Sequence, residues 1–89
     1  MLDRNRWLAG YELDLVVRRG RVLVFCEVKS KSGPRFGDPV EMVTPEKMRR
    51  IRRAAAAWLA AHPETRGLHV RFDVIAVRAG RLEHLPDAF

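Results

Sequence analysis

Cysteine is nearly absent from this chain of 89 residues, in which Cys26 stands alone. A single cysteine excludes an intrachain disulfide, and no Cys/His cluster has the spacing of zinc ligands. The sequence also lacks an apolar run of about 18 residues that could cross a membrane, and its first residues lack the apolar stretch of a signal peptide. These absences predict a cytoplasmic protein without a membrane partner.

Acidic residues are outnumbered, at 11 against 17 Lys and Arg, which gives a net charge of +6 carried mostly by arginine. The content of 47% apolar and 31% charged residues is ordinary for a globular protein. A chain of this length forms one core, so residues 1–89 are predicted to be a single domain. The excess of arginine favours a polyanionic partner such as DNA, because guanidinium groups bind phosphates well; its alternative role is to keep a small protein soluble.

The first half of the chain predicts a hairpin. Residues 11–17 alternate as a strand does, with Tyr11, Leu13, Leu15 and Val17 on one face and Glu12, Asp14 and Val16 on the other. Residues 21–29 are apolar on both faces until Glu27, as expected for a strand inside a sheet. A two-residue turn at Arg19 and Gly20 would pair Arg18 with Arg21.

The second half of the sequence predicts a loop, then a helix, then two strands. Residues 30–43 have a loop composition, and a helix begins at Thr44, as N-cap, and Pro45 and ends near Ala61. Its apolar stripe consists of Met48, Ile51, Ala55, Trp58 and Leu59. Residues 68–77 and 81–85 read as strands. A helix between strands predicts the α/β class, with a crossover helix over a mixed sheet.

Charged residues inside the hairpin are the informative ones. In the register above, Asp14 lies opposite Phe25 and Glu12 opposite Glu27, so Glu12, Asp14, Glu27 and Lys29 share one face. One lysine cannot neutralise three carboxylates, and an oxygen-only site favours Mg²⁺ or Mn²⁺. The alternative is an ordinary exposed face with mixed charges or an ion-pair network. A one-residue slip of register would separate Asp14 from Glu27.

These residues also carry a resemblance to a known family. Residues 10–16 and 23–30, with sequences GYELDLV and LVFCEVKS, resemble the core of the PD-(D/E)xK nuclease superfamily. More narrowly, the chain resembles the YraN/UPF0102 family of predicted endonucleases, which are related to archaeal Holliday-junction resolvases. The match continues in order through residues 36–39, residues 43–47, the arginine-rich helix and residues 71–77.

The resemblance implies a restriction-endonuclease-like mixed sheet and a set of site residues. Asp14 and Glu27 would be the catalytic, metal-binding acids, with Lys29 as the catalytic lysine of the superfamily. The main-chain carbonyl of Val28 would complete a site for Mg²⁺ or Mn²⁺, and Glu12 would be an accessory acid. Members usually open with a helix that carries a further acid and then a first strand. This chain begins near the end of that strand, around residues 2–6, so the helix is expected to be missing.

Several cations are predicted to contact DNA. Lys31 and Arg35 follow Lys29 closely, and Lys47 lies one turn into the helix, where snorkelling past apolar neighbours is an equal alternative. On the helix, Arg49, Arg50 and Arg53 form a basic face that suits a phosphate backbone, although such faces are commonly just solvated.

Three further residue types are given structural roles or none. Asp73 lies within an apolar strand and is expected to be the partner of an arginine. Trp7 and Trp58 are interpreted as core or edge aromatics rather than base-stacking platforms. The three histidines are assigned no role.

The leading hypothesis is a metal-dependent DNA endonuclease that hydrolyses phosphodiester bonds, with branched or structured DNA as substrate. The alternative is a catalytically inactive nucleic-acid-binding module that keeps the nuclease fold. A third hypothesis is a structural partner whose uncovered sheet edge forms a homodimer or recruits another chain.

Overall fold

One mixed sheet of five strands and one long helix organise the residues that the structure, a computed structural model, describes: 1–31, 44–78 and 80–89. The strands lie in the order β1-β2-β3-β4-β5, with β3 and β4 parallel and all other neighbours antiparallel. A 3-10 turn, Pro63–Thr65, follows the helix. The elements are β1 (Asp3–Leu8), β2 (Tyr11–Arg19), β3 (Val22–Lys31), α1 (Pro45–Ala61), β4 (His69–Arg78) and β5 (Arg81–Leu85).

The predicted α/β class with a crossover helix is confirmed. Because β3 and β4 are parallel neighbours, the chain must return along the sheet between them, and α1 lies on that return. The predicted N-cap is also confirmed, since Thr44 Oγ1 accepts the Lys47 N–H at 3.2 Å. Within the described ranges no helix has the length and apolar character that a membrane crossing requires.

The hairpin between β2 and β3 forms, but its predicted register is wrong by two residues. Arg19 pairs with Val22 and Arg18 with Leu23, so the loop residues are Gly20 and Arg21. Gly20 has φ +60°, and the type II′ hairpin turn places glycine at this first loop position. A shift of two residues preserves the faces of β3, so Glu27 and Lys29 keep a common side.

The core lies between α1 and one face of the sheet. Trp58 of α1 is 1% exposed and meets Phe25 edge to face, with ring centroids 5.7 Å apart. Its indole Nε1 donates to Asp3 Oδ2 at 3.1 Å, which joins the helix to the edge strand β1. The predicted apolar stripe is confirmed: Ile51, Ala55 and Trp58 are buried, and Met48 and Leu59 pack against the core.

A buried carboxylate ties the last two strands to the C-terminal turn. Asp73 is 0% exposed, and Arg71 donates to both its oxygens, through Nε at 2.8 Å and Nη2 at 2.9 Å. His84 Nε2 lies 2.6 Å from Oδ2, and the Asp87 N–H donates to Oδ1 at 3.0 Å. Burial alone would raise the pKa of Asp73, but the bonds from Arg71, Asp87 and His84 outweigh it and hold the pKa below its usual range. The predicted arginine partner is therefore confirmed.

Candidate functional site

The alternation of β2 breaks at Asp14. Leu13 and Val16 are three residues apart, yet both are buried in the core, which a regular strand does not allow. Asn5 of β1 stands opposite Asp14 of β2, but these two residues do not pair, whereas the residues on either side of them do. Asn5 has φ +49°, in the left-handed region. The predicted regular alternation, with Tyr11, Leu13 and Leu15 opposite Asp14 and Val16, is therefore wrong. The irregular backbone at Asp14 puts Leu13 and Val16 on the same face.

This local break directs the Asp14 side chain at the neighbouring strand. Its Oδ2 accepts the main-chain N–H of Val28 at 2.9 Å, just beyond the last paired residues, Leu15 and Cys26. The Asp14 carboxylate thus accepts a hydrogen bond that a main-chain carbonyl of the neighbouring strand would accept in a regular sheet, and it is held against β3. Asp14 is thereby fixed beside the segment that carries Glu27 and Lys29.

Glu27 is the buried acid of the site, at 4% exposed. The Tyr11 hydroxyl donates to Glu27 Oε1 at 2.8 Å, and Lys29 Nζ lies 3.4 Å from the same oxygen. Burial raises the pKa of Glu27 above its usual range, and the charge of Asp14 adds to the rise, against the opposing effects of Tyr11 and Lys29. Burial, with the bond to Glu27, likewise raises the pKa of Tyr11.

These residues line an open cavity of about 440 Å³, which we call the acid pocket. It brings together the predicted residues Glu12, Asp14, Glu27 and Lys29, and Val28 lies between them. Four further residues complete its lining: Trp7, Gly10, Tyr11 and Arg50. The predicted grouping of the hairpin charges in one place is therefore present, at the point where the alternation of β2 breaks.

The donor atoms of the acid pocket suit a hard divalent cation with few protein ligands. Over residues 1–31, 44–78 and 80–89, no three His, Cys, Asp or Glu side chains are grouped to hold a metal. Glu12 therefore lines the pocket without completing a three-acid site. In the same ranges, Asp14 bonds through Oδ2 and Glu27 through Oε1, which leaves Oδ1 and Oε2 as donors to a cation. Two carboxylates plus waters match the way Mg²⁺ is commonly held.

The predicted DNA-contacting cations divide by position. Arg50 reaches the acid pocket and bonds Glu46 Oε1 through Nη2 at 2.7 Å. Arg49 and Arg53 are exposed on α1 and do not line the pocket in the described part of the chain, and Lys47 is half-buried beside the helix N-terminus. Arg35 lies outside the described residues, and Lys31 is described in its backbone alone, as the last residue of β3.

Three side chains were not predicted to take part in the acid pocket or in the cluster around Asp73. Tyr11 was placed opposite the acids because strict alternation was assumed, and nothing local marks the break at Asp14. Trp7, interpreted as a core or edge aromatic, lies exposed on the edge strand β1 and also lines the acid pocket. His84 was given no role, yet it bonds Asp73; its position on a short strand opposite Ile75 was the available signal.

Glu27→Gln is expected to gain stability relative to wild type as the pH rises from 4 to 8. Because the folded pKa of Glu27 is raised, the stability that this group contributes is complete below its unfolded pKa and is lost as the pH rises through the folded value. Glutamine lacks this titration, and each unit of pKa difference is worth about 1.4 kcal/mol. Urea denaturation in EDTA at both pH values measures the effect.

The exposed carboxylate of Glu83 on β5 provides the matched control, Glu83→Gln. This variant reports the change in stability that the loss of one carboxylate produces away from the acid pocket. A stability difference between Glu27→Gln and wild type that stays constant or falls with rising pH would show that burial does not govern Glu27.

Comparisons with known proteins agree with one another. Residues 1–77 match the family model described as uncharacterised protein family UPF0102. A UPF0102 protein of Frankia casuarinae is 51% identical, over 100% of this chain and 79% of that protein. Similar proteins of Frankia alni and Geobacter sulfurreducens are 52% and 43% identical, again over 100% of this chain and over 78% and 73% of their own lengths.

Proposed function

Since the chain belongs to the UPF0102 family, we propose that it is a metal-dependent endonuclease that hydrolyses phosphodiester bonds in DNA, and in branched or structured DNA in particular. The observation that carries the proposal is the acid pocket, where Asp14 and Glu27 come from adjacent strands and Lys29 contacts Glu27. We include in the proposal a restriction-endonuclease-like fold, which the mixed sheet and the crossover helix support.

Asp14 and Glu27 would hold Mg²⁺ or Mn²⁺, with the main-chain carbonyl of Val28 as a further ligand. Such a cation supplies positive charge to a phosphate oxygen and lowers the pKa of a water molecule. The bond from the Val28 N–H fixes Asp14 Oδ2, so the free oxygen of that carboxylate has a defined direction. The Tyr11 hydroxyl does the same for Glu27.

Lys29 offsets negative charge in the buried part of the pocket. Its ammonium lies 3.4 Å from Glu27 Oε1, so it is placed to stabilise the additional charge that a phosphate acquires during in-line attack. Glu12 is an accessory acid of the same pocket. Arg50, on the α1 side, is placed to bind the phosphate backbone that leads into the pocket.

A cleavage assay on linear, nicked, flap and four-way DNA tests this function. We expect strand scission in Mg²⁺ or Mn²⁺ that stops when EDTA removes the metal, because the two acids then repel the phosphate and no metal ion lowers the pKa of the attacking water. Faster cleavage of flap or four-way DNA than of linear duplex would support the proposed substrate. Cleavage that continues undiminished in EDTA would contradict a metal-dependent mechanism.

A second candidate is a DNA-binding module with the same fold and no turnover. The observation that favours it is the occupation of Glu27 Oε1 by both Tyr11 and Lys29, together with the lack of a three-acid group in the described residues. Calorimetry with Mn²⁺ separates the two candidates: tight DNA binding without Mn²⁺ binding or cleavage would support the DNA-binding module and contradict the nuclease.

Sedimentation tests the proposal that the exposed edge of the sheet forms a homodimer.

A further inference from the structure

Trp7 is the large aromatic side chain that the described structure leaves open to solvent beside the acid pocket. It is 67% exposed on β1, which is the edge of the sheet, and it pairs across the strand with Glu12. Both residues line the acid pocket. Single exposed apolar side chains are common on protein surfaces, so what sets this indole apart is its place at the acid pocket and the charges around it.

Trp58 shows what a structural tryptophan looks like in the same molecule. It is 1% exposed, stacks on His62 with ring centroids 3.9 Å apart, and bonds Asp3 through its indole nitrogen. Trp7 has no ring partner in the described part of the chain. Its indole faces are therefore available to a ligand.

The charges near Trp7 define the chemistry of that ligand. Arg4 and Arg6 are exposed on the same strand, and Arg50 lies across the acid pocket. Cations that bind phosphates beside a ring that stacks on a base are the means by which proteins bind single-stranded nucleic acid. A neutral apolar partner would not explain the arginines, and a simple polyanion would not explain the indole.

We propose that Trp7 stacks on an unpaired nucleobase next to the phosphate bound in the acid pocket, an inference that rests on the proposed function and specifies its substrate. Both faces of a base inside a duplex are covered by its neighbours, whereas an unpaired base can leave the stack and meet the indole. Trp7 thus selects single-stranded DNA and duplexes with a flap or branch over continuous duplex. This replaces the interpretation of Trp7 as a structural edge aromatic.

Affinity measured in EDTA tests the proposal without cleavage. Fluorescence anisotropy would follow labelled single-stranded, flap and blunt duplex DNA of equal length against wild type, Trp7→Leu and Trp7→Tyr. Loss of one base–aromatic stack is expected to weaken binding of Trp7→Leu to single-stranded and flap DNA about tenfold. Binding to blunt duplex should change less than about twofold, and Trp7→Tyr should regain most of the loss, because tyrosine keeps an aromatic face.

Intrinsic fluorescence gives a second readout, since the chain has two tryptophans and Trp58 is buried. Oligothymidylate should quench wild-type fluorescence and leave that of Trp7→Leu unchanged. Leu82→Ala, at a 74% exposed position on β5, is the matched control for loss of an exposed apolar side chain and should bind as wild type does.

Three results would overturn the proposal. One is equal weakening of all three DNAs by Trp7→Leu, another is no weakening of any, and the third is a dimer that this variant dissociates, since a second copy would then cover the indole. A cleavage assay distinguishes failure of the proposed function. If the wild type binds flap DNA through Trp7 but does not cut it in Mn²⁺, the stacking proposal stands and the proposal of nuclease activity fails.

Discussion

Asp14→Asn is expected to lower the rate of DNA cleavage about a hundred- to a thousandfold, the scale on which removal of one charge-stabilising group acts. The amide oxygen of asparagine can still accept the Val28 N–H, so the break in β2 and the position of β3 are preserved. What the variant loses is the negative charge that would hold Mg²⁺ or Mn²⁺ beside Glu27. The free energy of unfolding should therefore change far less than the rate.

Single-turnover cleavage of flap DNA in Mn²⁺ measures this effect, and Mn²⁺ calorimetry measures the binding behind it. Lys29→Met should also abolish most cleavage, but it removes no cation ligand and should leave Mn²⁺ binding in place. Glu83→Gln, outside the acid pocket, controls for loss of one carboxylate. Cleavage by the Asp14→Asn, Lys29→Met double variant at the wild-type rate would refute the assignment of the site.

Asp73→Asn is expected to destabilise the fold by about 2–3 kcal/mol, since it weakens the hydrogen bonds of a buried charge whose partner Arg71 keeps some contact with water. Arg71 donates to both oxygens of Asp73, and His84 shares Oδ2. An amide nitrogen in place of Oδ2 would face the Arg71 donor and leave the guanidinium without its countercharge. Small domains have stabilities of about 5–15 kcal/mol, so this loss is a large share of the total.

Urea denaturation at pH 7 measures the loss, with Glu83→Gln on β5 as the control. Because the pKa of Asp73 is held below its ordinary value, its contribution is present above the unfolded pKa near 3.8 and is lost as the pH falls through the folded value. The difference between Asp73→Asn and wild type should therefore shrink below about pH 4. His84→Ala removes one donor at the exposed side and should cost about 1 kcal/mol. Equal stability of Asp73→Asn and wild type at pH 7 would show that the charge contributes nothing.

The elements of this fold are predictable where one local signal dominates. The cap and the proline at Thr44 and Pro45 mark the start of α1, and the predicted strand over residues 81–85 agrees with β5. The β2–β3 register was not predictable, because a turn of two residues fits the sequence with Gly20 in either loop position. Backbone geometry at that glycine makes the choice.

The sequence predicted which charged residues form the site better than it predicted how they are arranged. Charged residues among apolar ones are costly unless they are paired or bound, so Asp14, Glu27 and Lys29 stand out in the sequence. The break at Asp14 lies opposite Asn5, which has a positive φ, and no pattern within β2 reports it. Tyr11 was misplaced for the same reason, and with it the hydrogen bond that Glu27 accepts.

The connectivity of the sheet has a consequence for the order of folding. Strands β1, β2 and β3 are joined by two-residue loops, so their pairing requires closure of very short segments. The pairing of β3 with β4 must wait for the whole crossover segment to close, which makes it the slow, non-local contact of this topology. The acids of the pocket all lie on the locally connected strands β2 and β3, whereas Asp73 lies on the late one. We therefore expect the acid pocket to take shape in the transition state for folding and the Asp73 cluster to form after it.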